Sequence, residues 1–330
     1  MTTTPLAAPA ARAWWRLPQR HVPVLATLAL LLVMYGVGVS QYRAFSNVQV
    51  VFNIFIDNGF LLVVAVGMTF VILTGGIDLS VGSVVAMTAM VSASLLRGGM
   101  PPALVLVIAL LIGPTLGFAM GCVIHFFDIQ PFIVTLAGMF FARGMCTWIS
   151  STSIPITDGF WTGVAQERIR IGENFVSVSV LIALAVVLVA AVTLAYTRLG
   201  RNVYAVGGNP QSALLMGLPV GRTKIAVYTI SGLCSAIGGI MLSFYTLSGA
   251  PLIAVGMELD VIAAVVIGGT LLTGGSGYVF GTVLGVLVLG VIQTLITFDG
   301  TLSSWWTKIV IGGLLFVFIL LQRLVGIRTK

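Results

Sequence analysis

Ten apolar stretches recur along this 330-residue chain, at about 22–40, 49–73, 79–97, 103–125, 131–150, 176–197, 225–246, 257–273, 278–297 and 304–322. Each approaches the ~20 helical residues that span about 30 Å of hydrocarbon, and each ends at a polar or Gly/Pro break. A chain built this way has one solvent for most of its surface, and that solvent is lipid. Composition agrees, with 58% apolar residues, 8% charged residues and a mean hydropathy of +1.14. The fold class expected is all-α, a polytopic transmembrane bundle of about ten spans.

The first run follows Arg12, Arg16 and Arg20 as a secretory signal would, but it is longer than a signal's apolar region and no small-residue cleavage site follows it. It reads as a retained span. The expected organisation is a tail over 1–21, a membrane domain over 22–325 and a short tail over 326–330. Cys122, Cys146 and Cys234 lie within apolar segments, so neither a disulfide framework nor a metal cluster is suggested, and His21 and His125 are isolated.

Basic residues in short loops stay on the cytoplasmic side. With the N-terminus inside, ten of the sixteen Lys and Arg fall on that side: Arg12, Arg16, Arg20, Arg198, Arg201, Arg222, Lys224, Arg323, Arg328 and Lys330. Four fall outside (Arg43, Arg97, Arg168, Arg170), while Arg143 and Lys308 lie within spans. The expectation is therefore that both termini are cytoplasmic. The net charge of +7 is explained by this topology and by anionic membrane lipid, without a nucleic-acid partner. The outward segment 151–175 reads either as a docking surface or as a solvated connection.

Residues 197–224, "TRLGRNVYAVGGNPQSALLMGLPVGRTK", form the largest inward loop. Asn209 is a candidate cap for a helix of about seven residues that begins at Pro210, with Gly217 and Pro219 as its stop. So short a helix needs external packing for its apolar residues Ala213, Leu214, Leu215 and Met216. They rest on the chain's own end or in a cleft of a soluble partner.

That loop resembles the coupling segment of ABC-importer permeases of the ribose and branched-chain amino acid type, through Gly200 to Asn209, then Ala213 and Gly217. "GMTFVILTGGIDLSVGS" (67–83), "IQPFIVTLAGMFFARG" (129–144) and "ELDVIAAVVIGGTLLTGGSGYVFGTVLG" (258–285) are similar to sugar-permease signatures. "SIPIT" (153–157) and "FDGTLSSWWTKIVIG" (298–312) resemble more specifically the permeases of galactofuranose importers. The resemblance implies a bacterial inner-membrane subunit that works with a cytoplasmic ABC ATPase, a second permease and a periplasmic sugar-binding protein. It also implies an ATPase-coupling contact at Asn209, Pro210, Ala213, Leu215 and Gly217.

The chain has no G-x-x-x-x-G-K-[ST] phosphate loop, since none of Lys224, Lys308 and Lys330 follows glycine. It is expected to be no enzyme and to bind no cofactor, with ATP and Mg used by the partner. The alternative class is an ion-coupled secondary sugar transporter, with Asp57, Asp78, Glu258 and Asp260 as relay candidates. Candidates for the path or gate are Asn58, Thr74, Gly75, Gly76, Asp78, Ser80, Thr135, Arg143 and Gln293, with Thr69 and Thr294 as further hydroxyls. Arg143 is expected to pair with Asp57 or Glu258, and Lys308 to snorkel outward. Asp78 is expected to cap span three, and Trp305 and Trp306 to anchor span ten at the interface. "LTGGIDLSVGS" (73–83) has a second copy in "LTGGSGYVFGT" (272–282), and both face the same side by span count.

A cysteine placed within 158–172 should react with an impermeant thiol reagent from outside, whereas Gln211→Cys should react only after permeabilisation. The reverse labelling pattern would overturn the orientation.

Overall fold

The computed structural model of the chain describes residues 22–301 and 305–327. The expected N-terminal tail, Arg12, Arg16, Arg20, His21, Ser303, Ser304, Arg328 and Lys330 lie outside the described residues. Helices α1 (Val22–Gln41), α2 (Val48–Leu73), α3 (Val81–Arg97), α4 (Pro102–Phe126) and α5 (Pro131–Ile149) form the first half. An outer segment then carries β1 (Ile154–Pro155), α6 (Gly159–Gln166), β2 (Arg168–Ile171) and β3 (Asn174–Ser177). The second half holds α7 (Val178–Tyr196), α8 (Arg198–Gly208), α9 (Pro210–Leu215), α10 (Val220–Thr246), β4 (Ser248–Gly249), α11 (Met257–Ile267), α12 (Val279–Asp299) and α13 (Trp305–Ile327). Among the described residues seven helices, namely α1, α2, α4, α5, α7, α10 and α12, are long and apolar enough to cross a membrane by length and composition.

Contacts sort the connections onto two faces. On one, the carbonyl of Leu73 meets the amide of Gly275, and Gly207 lies against both residues. On the other, Tyr42 donates to Asp299, Gln49 bonds Phe175, and β1 pairs with β4 through Ile154 opposite Gly249. The strict alternation that ten crossings require is consistent with both sets.

Three expected segments differ from the structure. Span eight, expected over 257–273, is helical only to Ile267, and α11's 11 residues rise about 16 Å, roughly half the hydrocarbon thickness. Its stop is a glycine pair: Gly269 has φ +93°, its amide bonds Val266, and the Thr270 amide reaches back to Val265. The 197–224 segment holds two helices rather than one, because α8 precedes α9. The outer segment is built rather than merely solvated: Trp161 of α6 is fully buried, donates from Nε1 to Ser243 Oγ at 2.9 Å, and lies 4.9 Å from the Phe244 ring.

Helix α10 is held against α4 at backbone distance. Gly113, Gly117 and Gly121 lie one turn apart on α4. A Cβ at Gly113 would strike the Gly232 carbonyl, one at Gly117 the Tyr228 carbonyl, and one at Gly121 would lie 2.9 Å from the Ile225 Cα. Lipid offers apolar helices no hydrophobic drive to associate, so close packing through small residues supplies the attraction. The glycines of "GVLVLGVIQ" (285–293) are likewise used within the chain, Gly285 against Ala264 of α11 and Gly290 against Ile54 and Asn58 of α2.

Gly117→Leu should therefore cost at least about 1–3 kcal/mol by overpacking, read as a lower thermal midpoint in detergent. Gly144→Ala, whose added carbon meets nothing within 4 Å, should leave the midpoint unchanged or raise it. Equal behaviour of the two variants would contradict the packing account.

Candidate translocation pathway

The break in "LTGGIDLSVGS" is a helix stop followed by a helix start. The amides of Gly75 and Gly76 bond the carbonyls of Ile72 and Val71, with Gly75 at φ +78°, so α2 closes with a left-handed glycine turn. The Leu73 carbonyl, left without a helical donor, takes the Gly275 amide at 2.9 Å. The two LTGG copies thus touch. A Cβ at Gly274 would lie 2.8 Å from the Gly75 nitrogen and 3.0 Å from the Gly207 carbonyl oxygen, so α8 closes the same junction. Tyr204 of α8 adds a bond from its hydroxyl to the Gly277 carbonyl at 2.8 Å.

Asp78 is buried between the start of α3 and α10. Its Oδ1 accepts the Ser80 amide at 2.9 Å and the Ser80 hydroxyl at 2.6 Å, and its Oδ2 accepts the Ser231 hydroxyl of α10 at 2.8 Å. Helix α3 starts after Ser80, which carries no side-chain cap bond, so Asp78 is not the expected cap: it closes the turn before α3 and ties that turn to α10. Thr74 bonds Val71, and Thr135 donates to the Pro131 and Ile77 carbonyls, so these hydroxyls are engaged in holding the turn. Thr69 likewise bonds Ala65 and Thr282, joining α2 to α12.

Asn58 and Gln293 belong to a different place. They line a cavity of about 600 Å³ toward the opposite face, among α2, α10, α11 and α12. Its polar groups include Asn53, Asp57, Asp260 and Thr294, and Phe60 and Tyr245 add aromatic surface with ring centroids 6.0 Å apart. The Tyr245 hydroxyl donates to Asp57 Oδ1 at 3.1 Å. The Lys308 ammonium sits 2.7 Å from Asp260 Oδ1, so Lys308 is paired rather than snorkelling outward. Each wall comes from a helix distant in sequence, which is why residue-by-residue reading found Asn58 and Gln293 but gave no role to Tyr245.

Arg143 also departs from expectation. Its guanidinium donates to the carbonyls of Pro251 and Ile253 at 2.9 and 2.8 Å and forms no ion pair with Asp57 or Glu258. Those carbonyls belong to the connection that also supplies Ile253, Ala254 and Val255 to the cavity, where Ala254 and Gly256 have φ +58° and +79°. Arg143 therefore braces a stretch of cavity wall that bends through the left-handed Ala254, and supplies donors to two carbonyls that lie outside any helix.

At the other end, α9 has the expected caps. Asn209 Oδ1 accepts the Ser212 amide at 2.9 Å, Pro210 occupies the first turn, and Gly217 at φ +75° closes the helix. Ala213 is fully buried, whereas Leu215 is 89% exposed and Leu214 and Met216 stand beside it in solvent.

The sequence of the chain has relatives. Residues 50–319 match the family described as branched-chain amino acid transport system / permease component. The chain belongs to this permease family. An inner membrane ABC transporter permease protein of Escherichia coli K12, YjfF, is 47% identical over 92% of this chain and 93% of its own length. The fructose import permease protein FruG of Bifidobacterium longum is 42% identical over 94% and 93%. The ribose import permease protein RbsC of Haemophilus influenzae is 38% identical over 91% and 92%. No solved structure matches the chain.

Asp78 supplies the sharpest test of the junction in this permease. Asp78→Asn keeps an accepting oxygen and should insert and fold nearly normally. Asp78→Leu strands three donors, each worth about 1–3 kcal/mol when buried unsatisfied, and should lower the inserted amount severely. If Asp78→Asn inserts normally yet abolishes uptake, the carboxylate charge acts in transport and holding the turn is not its main role.

Proposed function

We propose that this chain is the membrane-spanning subunit of an ATP-driven importer, and that the cavity around Asp57, Asn58 and Gln293 receives a monosaccharide from the periplasmic side. The observation that carries the reading is the cavity lining. Amides, a carboxylate and hydroxyls offer both donors and acceptors to sugar hydroxyls, and Tyr245 and Phe60 offer faces to the ring. The volume lies within the ~300–1,000 Å³ of small-molecule sites. With Asp260 paired to Lys308, Asp57 is left as the polar anchor, held in place by Tyr245.

The sugar is a furanose or pentose, with galactofuranose the first candidate from the resemblance of 153–157 and 298–312. The relatives named for fructose and ribose import support this size class. In the proposed orientation both termini and the α8–α9 face are cytoplasmic in the bacterial inner membrane. A periplasmic sugar-binding protein delivers at the opposite face. The exposed Leu214, Leu215 and Met216 dock into the ATPase subunit, which supplies ATP and Mg, and Asn209, Pro210, Ala213 and Gly217 hold the helix in shape. A second permease completes the pathway.

Reconstitution with the ATPase and binding protein tests this. Gln293→Ala and Asp57→Asn should lower ATP-dependent sugar uptake at least about tenfold while insertion is kept, consistent with the loss of one or two sugar hydrogen bonds at ~1.5 kcal/mol each. Ala213→Glu and Gly217→Val should instead uncouple ATP hydrolysis from uptake, because the first expels the buried side of α9 and the second strains its stop. Uptake by the chain alone under an ion gradient would replace this reading with ion-coupled transport.

A further inference from the structure

A groove of about 620 Å³ lies on the α8 face, between the last turns of α7, helix α8 and residues 275–280. One side is apolar, formed by Leu194, Ala195 and Phe280, the last 62% exposed. The other is polar, with Arg201, Ser276 and Tyr278. Helix α7 ends at Tyr196, so the apolar side lies at the end of a span and the polar side just beyond it. This is the depth at which acyl chains give way to headgroups. Arg201 is exposed and has no salt bridge among the described residues. The segments 197–224 and 268–281 contain no Asp or Glu, whereas the first carries Arg198, Arg201, Arg222 and Lys224. The positive charge beside the groove is therefore uncompensated by the elements that form it.

We infer that this groove binds an anionic phospholipid, its phosphate on Arg201 and the hydroxyl of Ser276, and one acyl chain along Leu194, Ala195 and Phe280. A guanidinium matches a phosphate in charge and in the fork of its donors. The lipid would lie against both α8 and the turn at Gly275–Gly277, which Tyr204 bonds to one another. Its occupancy therefore reports on the junction between the coupling segment and the spans. Assignment to the cytoplasmic leaflet rests on the orientation proposed above, but binding itself does not.

Native mass spectrometry of the purified permease titrated with phosphatidylglycerol against phosphatidylcholine tests the site without any transport measurement. The wild type should prefer phosphatidylglycerol, and Arg201→Gln should weaken that binding about fivefold, the equivalent of ~1 kcal/mol for one basic residue near a headgroup. Arg201→Lys should weaken it less, and Arg222→Gln, outside the groove, should leave it unchanged. No headgroup preference in the wild type would overturn the inference, as would equal losses for Arg201→Gln and Arg222→Gln. Displacement by millimolar inorganic phosphate would mark a free-anion site and overturn it too. Should Arg201→Gln fail to insert, Phe280→Ala provides the second variant, with weaker retention of phosphatidylglycerol expected and unchanged retention counting against the site. If retention persists while the chain fails as an importer, the lipid site stands and the proposed function falls.

Discussion

The carbonyl of Leu73 ends a 26-residue helix at a fully buried residue, where no bulk water can replace the missing donor. It is answered by the Gly275 amide from the other interrupted segment. The same need recurs at Ile267, the last residue of α11, whose carbonyl takes the hydroxyl of Thr27 from α1. Two broken helices are thus possible only because each lends or borrows a hydrogen bond across the bundle. The glycines follow from this requirement, since a Cβ at Gly207 would meet the backbone of both Leu73 and Gly275.

Because those breaks meet, the helices running away from them share one frame. From the junction, α2 leads to Asp57 and Asn58, and α12 leads from Val279 to Gln293 and Thr294, so two walls of the polar cavity are rooted at the junction itself. The Thr69–Thr282 bond joins these two helices close to it. Asp78 ties the start of α3 to Ser231 on α10, whose far end carries Tyr245 into the cavity. A shift of α8 against Gly75 and Gly274 therefore cannot remain local, because close-packed backbones have no flexible side chain to absorb it.

Much of this was legible in the sequence where the signal is local. The apolar runs, the Gly75 stop, the Asp78 bond to Ser80 and the capped helix from Pro210 to Leu215 each depend on residues a few positions apart. Helix α8 was missed because its Gly200, Gly207 and Gly208 read as loop, whereas Gly200 and Gly207 are there to admit neighbouring backbone, at Leu194 and Leu73 respectively. The early end of α11 had a local signal in Gly268–Gly269, masked by the apolar residues that continue to Leu272. The partners of Arg143 were not legible at all. A guanidinium in a span suggests a carboxylate, but the competing acceptors were main-chain carbonyls more than a hundred residues away. The cavity was half legible for the same reason: polarity marked Asn58 and Gln293, and only the tertiary fold brings Tyr245 to Asp57.

The face that carries α9 shows how a fold can be ordered and still present an apolar surface to solvent. Helix α9 is only six residues long, too short to persist by propensity. It is held from both ends by the Asn209 cap and by the reversed bonds at its stop, from the Gly217 amide to Leu214 and the Leu218 amide to Ala213. Ala213 anchors it from below. Leu214, Leu215 and Met216 are therefore presented on a backbone that is already ordered, so a partner that covers them gains their apolar burial without the cost of folding the helix. Helix α9 is separated from α8 by Asn209 alone, and α8 in turn meets, through Gly207, the two turns at Leu73 and Gly275 where the helices break.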